Sequence, residues 1–158
     1  MSQIKTNAMR ILDTNKISYT IITYDQQDGK IDGISVAEKI GRDPQFVYKT
    51  LVAQGKDQTI FVFVIPVAKE LDLKKASKVV GEKKVEMIPV KEIEKHTGYI
   101  RGGCSPVGMK KAYKTVIDSS AKKSDTIIVS GGKRGVQIEL GVTDLQKITG
   151  AQVETITK

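Results

Sequence analysis

The sequence predicts an α/β fold in which a mixed, mainly antiparallel sheet is flanked by helices. Strand-like and helix-like segments are interspersed along the chain, so both kinds of element must share a core. In the second half, consecutive strands are joined by short turns, which the long crossovers of a doubly wound parallel sheet do not allow. The 158 residues, 39% hydrophobic and 28% charged, suit one sizeable core. No repeat, low-complexity run or linker divides them, and a single domain over residues 1–158 is expected.

Thr6 is placed to cap a first helix whose apolar stripe is Ala8, Met9, Ile11 and Leu12, ending near Asn15. Residues 18–24 alternate and are rich in β-branched and aromatic types, as a strand requires. A polar loop over 25–33 follows. Ser35 and Glu38 have capping-box spacing and open a short helix up to Gly41. Asp43-Pro44 supplies an N-cap with proline at the first helical position. Strands are expected at 50–53 and 59–65, separated by a turn at 55–58. Asp72 caps a helix over 73–80 that Gly81 stops. A strand at 85–88 and a helix at 90–95 lead into a glycine–proline stretch. Strands are then expected at 115–118, 126–129 and 136–140, with a turn at Ser130-Gly131-Gly132-Lys133-Arg134-Gly135 between the last two. Thr143 and Gln146 repeat the capping-box spacing before a helix ending near Gly150, and 153–156 closes the chain.

Charge narrows the function. Lys and Arg number 26 against 18 Asp and Glu, a net +8, which favours an anionic partner such as nucleic acid. Lysines recur in pairs along the whole chain, suggesting a broad basic face. Aromatic residues make up 5% and there is no Trp, too few for a base-stacking platform. No apolar run approaches a membrane span and the N-terminus lacks a leader's apolar core. The one cysteine, Cys104, cannot pair within the chain, so a reducing cytoplasm is the expected setting.

Residues 97–111, TGYIRGGCSPVGMKK, concentrate the chemistry. Gly102 and Gly103 permit φ > 0 and close approach of a ligand. Pro106 stiffens the loop and biases Ser105 toward an extended conformation. Such a loop can aim backbone N–H groups at an anion or developing oxyanion, although a plain tight turn has the same composition. A zinc site is not assembled from one His and one Cys, and no metal or cofactor is expected. A Walker loop fails because Met109 stands at the lysine position. Cys104 reads better as a small buried residue than as a nucleophile, since His96 is the only histidine available as a base. Lys49 interrupts an apolar run, either snorkelling to solvent or holding a cation at a pocket rim.

Four segments together resemble the YbaK/EbsC family, free-standing relatives of the editing domain inserted in bacterial prolyl-tRNA synthetase. They are VYKTLV at 47–52, LDLKKASKVVGEKKVEM at 71–87, TGYIRGGCSPVG at 97–108 and SGGKRG at 130–135. The resemblance implies a mixed α/β domain on a curved sheet and an aminoacyl-tRNA deacylase that clears cysteine from tRNA(Pro). It matches the family's key lysine to Lys49 and its glycine–proline loop to Gly102, Gly103, Cys104, Ser105 and Pro106. Tyr24 and Ser130 match pocket residues. Lys110, Lys111, Lys133 and Arg134 are candidate tRNA contacts. The implied partner is aminoacylated tRNA, with prolyl-tRNA synthetase as a candidate second partner; neither DNA nor a membrane is implied. In the family the substrate's own thiol is thought to attack the ester while backbone N–H groups of residues 102–105 steady the oxyanion. Relatives have an aliphatic residue in place of Cys104, and some have an acid in place of Gln137. Deacylation of another small amino acid such as alanine, a non-catalytic tRNA- or synthetase-binding module, and a nucleotide-binding enzyme are the rival readings.

Overall fold

The computed structural model describes residues 5–158; residues 1–4, part of the N-terminal stretch considered above, lie outside the described residues. The larger sheet is built on β2 (Tyr48–Gln54) and β3 (Ile60–Pro66), which pair antiparallel. Short β4 (Glu86–Met87) flanks β2 antiparallel. On the other side β5 (Lys114–Asp118) runs parallel to β3, and β8 (Gln152–Glu154) parallel to β5. The smaller sheet has β7 (Val136–Gly141) between β1 (Tyr19–Thr23) and β6 (Thr126–Lys133), all antiparallel. A parallel bridge between Val47 and Ile128 brings the start of β2 against β6. The ladder is thus mixed and mainly antiparallel, as expected.

β3 is buried at every position, the pattern of a strand covered on both faces. Its alternate side chains separate two cores. Phe61, Phe63 and Ile65 pack with Ala76 and Val80 of helix α3 (Leu73–Val80). Val64 joins the other core, with Met9 and Leu12 of α1 (Asn7–Thr14) and Ile127, Val129, Ile138 and Leu140 of the small sheet. This period of two fixes the register, because a one-residue slip would exchange the two cores.

Most helix ends follow the sequence. Thr6 accepts from Met9 N–H, and Asp72 from the N–H groups of Lys74 and Lys75, with Gly81 in the left-handed region at φ 76°. Both capping boxes are displaced. Helix α2 (Gly33–Lys39) is capped by Asp32, which accepts from Ser35 N–H at 3.1 Å and Ser35 Oγ at 2.7 Å. A carboxylate three residues upstream is the stronger acceptor, so Ser35 becomes a donor to the cap. Thr143 lies within the first turn of α5 (Val142–Thr149), because β7 runs straight into the helix and Val142 N–H is taken by Asp125 C=O at 2.9 Å. The expected turn at 130–135 is also corrected. β6 continues to Lys133 through a bulge, and only Arg134 and Gly135 reverse the chain.

Candidate active site

The bulge of β6, the first residues of β2 and the loop after α4 (Val90–Thr97) enclose a cavity of about 140 Å³. β2 contributes Lys49 and Thr50. Ser130 and Gln137, direct cross-strand partners, come from β6 and β7. Gly102 and Cys104 come from the loop, and Ile31 closes the wall from the segment before α2. Among the residues lining it Lys49 is the one charged group, and Lys49 forms no ion pair among the described residues. Cations without a carboxylate neighbour favour an anionic or polarised oxygen. Lys49 is the second residue of β2, inside the strand rather than at its threshold.

The loop owes its shape to a set of hydrogen bonds, buried at Tyr99 and exposed at its ends. Thr97 Oγ1 donates to Ile93 C=O at 2.8 Å and accepts from Tyr99 N–H at 3.0 Å. Tyr99 Oη donates to Val107 C=O at 2.7 Å, and Asn7 Nδ2 donates to Gly108 C=O at 2.7 Å. Arg134 Nε donates to Arg101 C=O at 2.8 Å, tying the β6–β7 reversal to the loop. The two glycines serve close approach. Gly102 has φ +84°, and a Cβ there would lie 2.7 Å from Ile31 Cδ1. On Gly103 a Cβ would meet the backbone of Lys133 and Arg134 at 2.9–3.0 Å. The Gly103 N–H is committed to Ile100 C=O at 2.9 Å. The N–H groups of Gly102, Cys104 and Ser105 find no acceptor among the described residues, which leaves them available to a ligand oxygen.

Cys104 is 8% exposed. Burial pushes its thiol up to about 11, against a weak opposing hydrogen bond to Thr97 Oγ1 at 3.9 Å. The thiol is protonated at neutral pH and packs with Val52, Ile60, Ile88 and Tyr99, so it has the character of a small apolar wall residue.

Two polar lining groups were given no place in the site by the sequence reading, which noted Gln137 only as a position where some relatives carry an acid. Thr50 Oγ1 is buried without a hydrogen-bond partner among the described residues, and Gln137 is 6% exposed. Neither carries a local signal, since each is polar only in relation to a cavity made by distant elements. The other expected residues are divided. Tyr24 follows β1, donates its N–H to Gly135 C=O at 2.9 Å, and has its hydroxyl buried without a partner among the described residues. Ser105 is fully buried, its Oγ accepting from Val107 N–H at 3.2 Å. Pro106, Lys110 and Lys111 line a separate cavity beside α1 and α5, and Lys110 Nζ donates to Lys95 C=O at 3.2 Å. Lys133 and Arg134 adjoin Gly102 and Gly103 at the cavity's edge. No group of three metal-ligating side chains occurs among the described residues, nor any helix long and apolar enough to cross a membrane.

Known proteins resemble this chain in sequence and in fold. EbsC of Enterococcus faecalis, provisionally named a Cys-tRNA(Pro)/Cys-tRNA(Cys) deacylase, is 45% identical over 156 residues, covering 99% of this chain and 95% of that protein. Two crystal structures share the fold at lower identity. One, of the hypothetical protein APE2540, superposes with a TM-score of 0.87 at 20% identity over 96% of this chain and 99% of the other. A second, provisionally described as a trans-editing enzyme for prolyl-tRNA synthetase, gives 0.84 at 22% over 99% of both chains. The model of the aminoacyl-tRNA editing domain matches residues 33–148, a span that holds the cavity's β2, β6, β7 and loop residues, and the chain therefore belongs to the aminoacyl-tRNA editing domain family.

Proposed function

We propose that this chain is an aminoacyl-tRNA deacylase acting in trans as a single editing domain in the cytoplasm, and that its main substrate is cysteine mischarged on tRNA(Pro). The observation that carries this reading is the composition of the cavity: one lysine without an ion pair, two lining residues of the glycine loop, Gly102 and Cys104, whose N–H groups have no acceptor among the described residues, and room for a small side chain only. An aminoacyl ester is already activated, so orientation and oxyanion stabilisation supply much of the rate. The buried, protonated Cys104 makes a poor nucleophile. The substrate's own sulfur then attacks its ester carbonyl. An S–C bond forms, the C–O bond to the terminal ribose breaks, the ribose oxygen takes the thiol's proton, and cysteine leaves as a thiolactone.

In this scheme the N–H groups of Gly102, Cys104 and Ser105 face the oxyanion, and the commitment of Gly103 N–H makes Gly103 a spacer that seats the loop on the β6–β7 reversal. Lys49 holds the terminal phosphate or the reacting end. Ser130 and Pro106 fix the shape of the loop and bulge around the substrate, and Tyr24 supports the rim. Lys133 and Arg134 receive the acceptor strand near the cavity; Lys110 and Lys111, on the other side of the loop, extend the basic surface. Prolyl-tRNA synthetase, as a docking partner, would supply tRNA selection that phosphate contacts do not.

A cavity of this size admits alanine as well as cysteine, and one heteroatom discriminates weakly. The test is incubation of catalytic amounts of protein with cysteine-, alanine- and serine-charged tRNA(Pro). Multiple turnover on the cysteine ester with slow serine release is expected. Faster turnover on alanine would transfer the assignment to that substrate, and binding without turnover would leave a tRNA-binding module.

A further inference from the structure

Lys39 ends α2 and turns back on the segment that leads into its own helix. Its Nζ donates to Asp25 C=O at 2.7 Å, to Asp28 Oδ1 at 2.7 Å and to Lys30 C=O at 3.0 Å. An ammonium has three donors, and here all three meet oxygens of one short loop. The same nitrogen lies 5.8 Å from the centroid of the Tyr24 ring, within cation–π range. Further bonds hold the loop internally: Gln27 N–H to Asp25 Oδ1 at 3.0 Å, Lys30 N–H to Asp28 Oδ1 at 2.9 Å, and Ile31 N–H to Gly29 C=O at 3.1 Å. Ile31, the next residue after the last clasped carbonyl, forms a wall of the cavity and rests over Gly102.

We infer that Lys39 is a positioning residue for substrate selection: by gathering Asp25, Asp28 and Lys30 it fixes the loop that presses Ile31 into the acyl pocket. The inference rests on the deacylase reading above. Few apolar contacts hold residues 25–30, which are exposed, so the ammonium is the main constraint on this segment. Without it Ile31 leaves Gly102 and the pocket opens toward larger side chains. The loss acts on binding and selectivity, because the N–H groups of the 102–105 loop and Lys49 are held by other elements.

Lys39→Met, Lys39→Arg and Asp28→Asn test this, with steady-state kinetics on cysteine- and valine-charged tRNA(Pro) and limited trypsin digestion after Lys30. For Lys39→Met the expected result is a KM raised about tenfold, the loss of a charge-assisted hydrogen bond. Its kcat changes little, valine is released faster relative to cysteine, and cleavage after Lys30 is accelerated. Asp28→Asn shifts all these readouts the same way by less, and carries the test if Lys39→Met folds poorly. Arg is planar and cannot direct three donors at three oxygens converging on one point, so Lys39→Arg fails to restore selectivity. Full rescue by Lys39→Arg would mean a generic cation for RNA and overturn the inference. So would unchanged selectivity and protease resistance in Lys39→Met or Asp28→Asn. An inactive wild-type protein would instead refute the deacylase reading, and the digestion pattern would still report the clasp.

Discussion

Lys49 stands directly opposite Ile65 in the β2–β3 ladder, and Ile65 is fully buried. Opposed residues in an antiparallel pair share a face, and the next pair on that face is Leu51 and Phe63. The lysine stem therefore leaves an apolar face, and Lys49 also borders the cavity, at the edge where β2 begins. Lys49→Met keeps the stem and removes only the charge. Single-turnover deacylation should fall about tenfold to a hundredfold, the equivalent of ~1.5–3 kcal/mol, with the thermal midpoint unchanged. Lys49→Arg should recover part of the rate. Undiminished deacylation by Lys49→Met would reduce the residue to an ordinary surface lysine.

Cys104 is expected to be dispensable for chemistry. With its thiol pushed up to about 11 by burial, an enzyme thiolate would give a rate still climbing steeply above pH 9. A substrate thiol gives a profile set by the ester's own cysteine, identical in wild type and Cys104→Ala. The substitution trims a wall of the cavity, so KM should move more than kcat. Loss of turnover in a folded Cys104→Ala protein would reinstate a thiol nucleophile.

The fold was readable where signals are local and periodic, and obscured where tertiary contacts decide. β3 announces itself as an unbroken apolar run because both its faces are covered. Lys49 stood out for the same reason, as a charge within such a pattern. Thr50 and Ile31 gave no sign, and Gln137 was noted only through the family resemblance, since their common cavity exists only after the Val47–Ile128 bridge brings the two sheets together. Capping boxes at Ser35 and Thr143 misplaced two helix starts, because a stronger acceptor and a continuing strand took the cap positions. The glycine pair at Gly131 and Gly132 suggested a turn. In the fold it lets a bulged strand pass close to Thr6, whose Oγ1 donates to Gly131 C=O.

The paired glycines of the loop should respond differently to alanine. At Gly102 the obstacle is the tip of Ile31, 2.7 Å from the new Cβ, a flexible group that can move. φ +84° adds a strain of about 1 kcal/mol. Gly102→Ala should fold, with a raised KM as Ile31 is displaced and the methyl enters the cavity. At Gly103 the obstacle is the backbone of Lys133 and Arg134, where the β6–β7 ladder turns back. Gly103→Ala must separate the loop from that ladder, so it should lose both stability and activity. Melting curves beside kinetics distinguish them, and an equally stable Gly103→Ala would contradict the packing argument.

Acid should weaken the fold partly through Asp118, which is 3% exposed at the end of β5. Burial alone would raise its pKa. Hydrogen bonds from Ser120 and from Ile156 N–H, the latter at 3.0 Å, outweigh burial and hold the carboxyl below the usual range. A depressed folded-state pKa contributes stability that is present above the unfolded value of about 3.9. It is lost as pH falls through the folded value. The Arg42–Glu139 pair, bidentate at 2.8–2.9 Å, lowers the Glu139 pKa in the same direction, so the acid limb of the wild type has more than one source. Asp118→Asn isolates the first. It removes the charge that two backbone N–H groups address and should cost about 1–3 kcal/mol at pH 7. The gap between the variant and wild type should then narrow as pH falls below 4 toward the depressed folded value, through which the wild-type carboxyl is neutralised. Urea melts at pH 7, 5, 4 and 3 measure that gap. A gap independent of pH would show that Asp118 acts through shape alone, with its ionised state contributing nothing to the anchoring of the C-terminal strand.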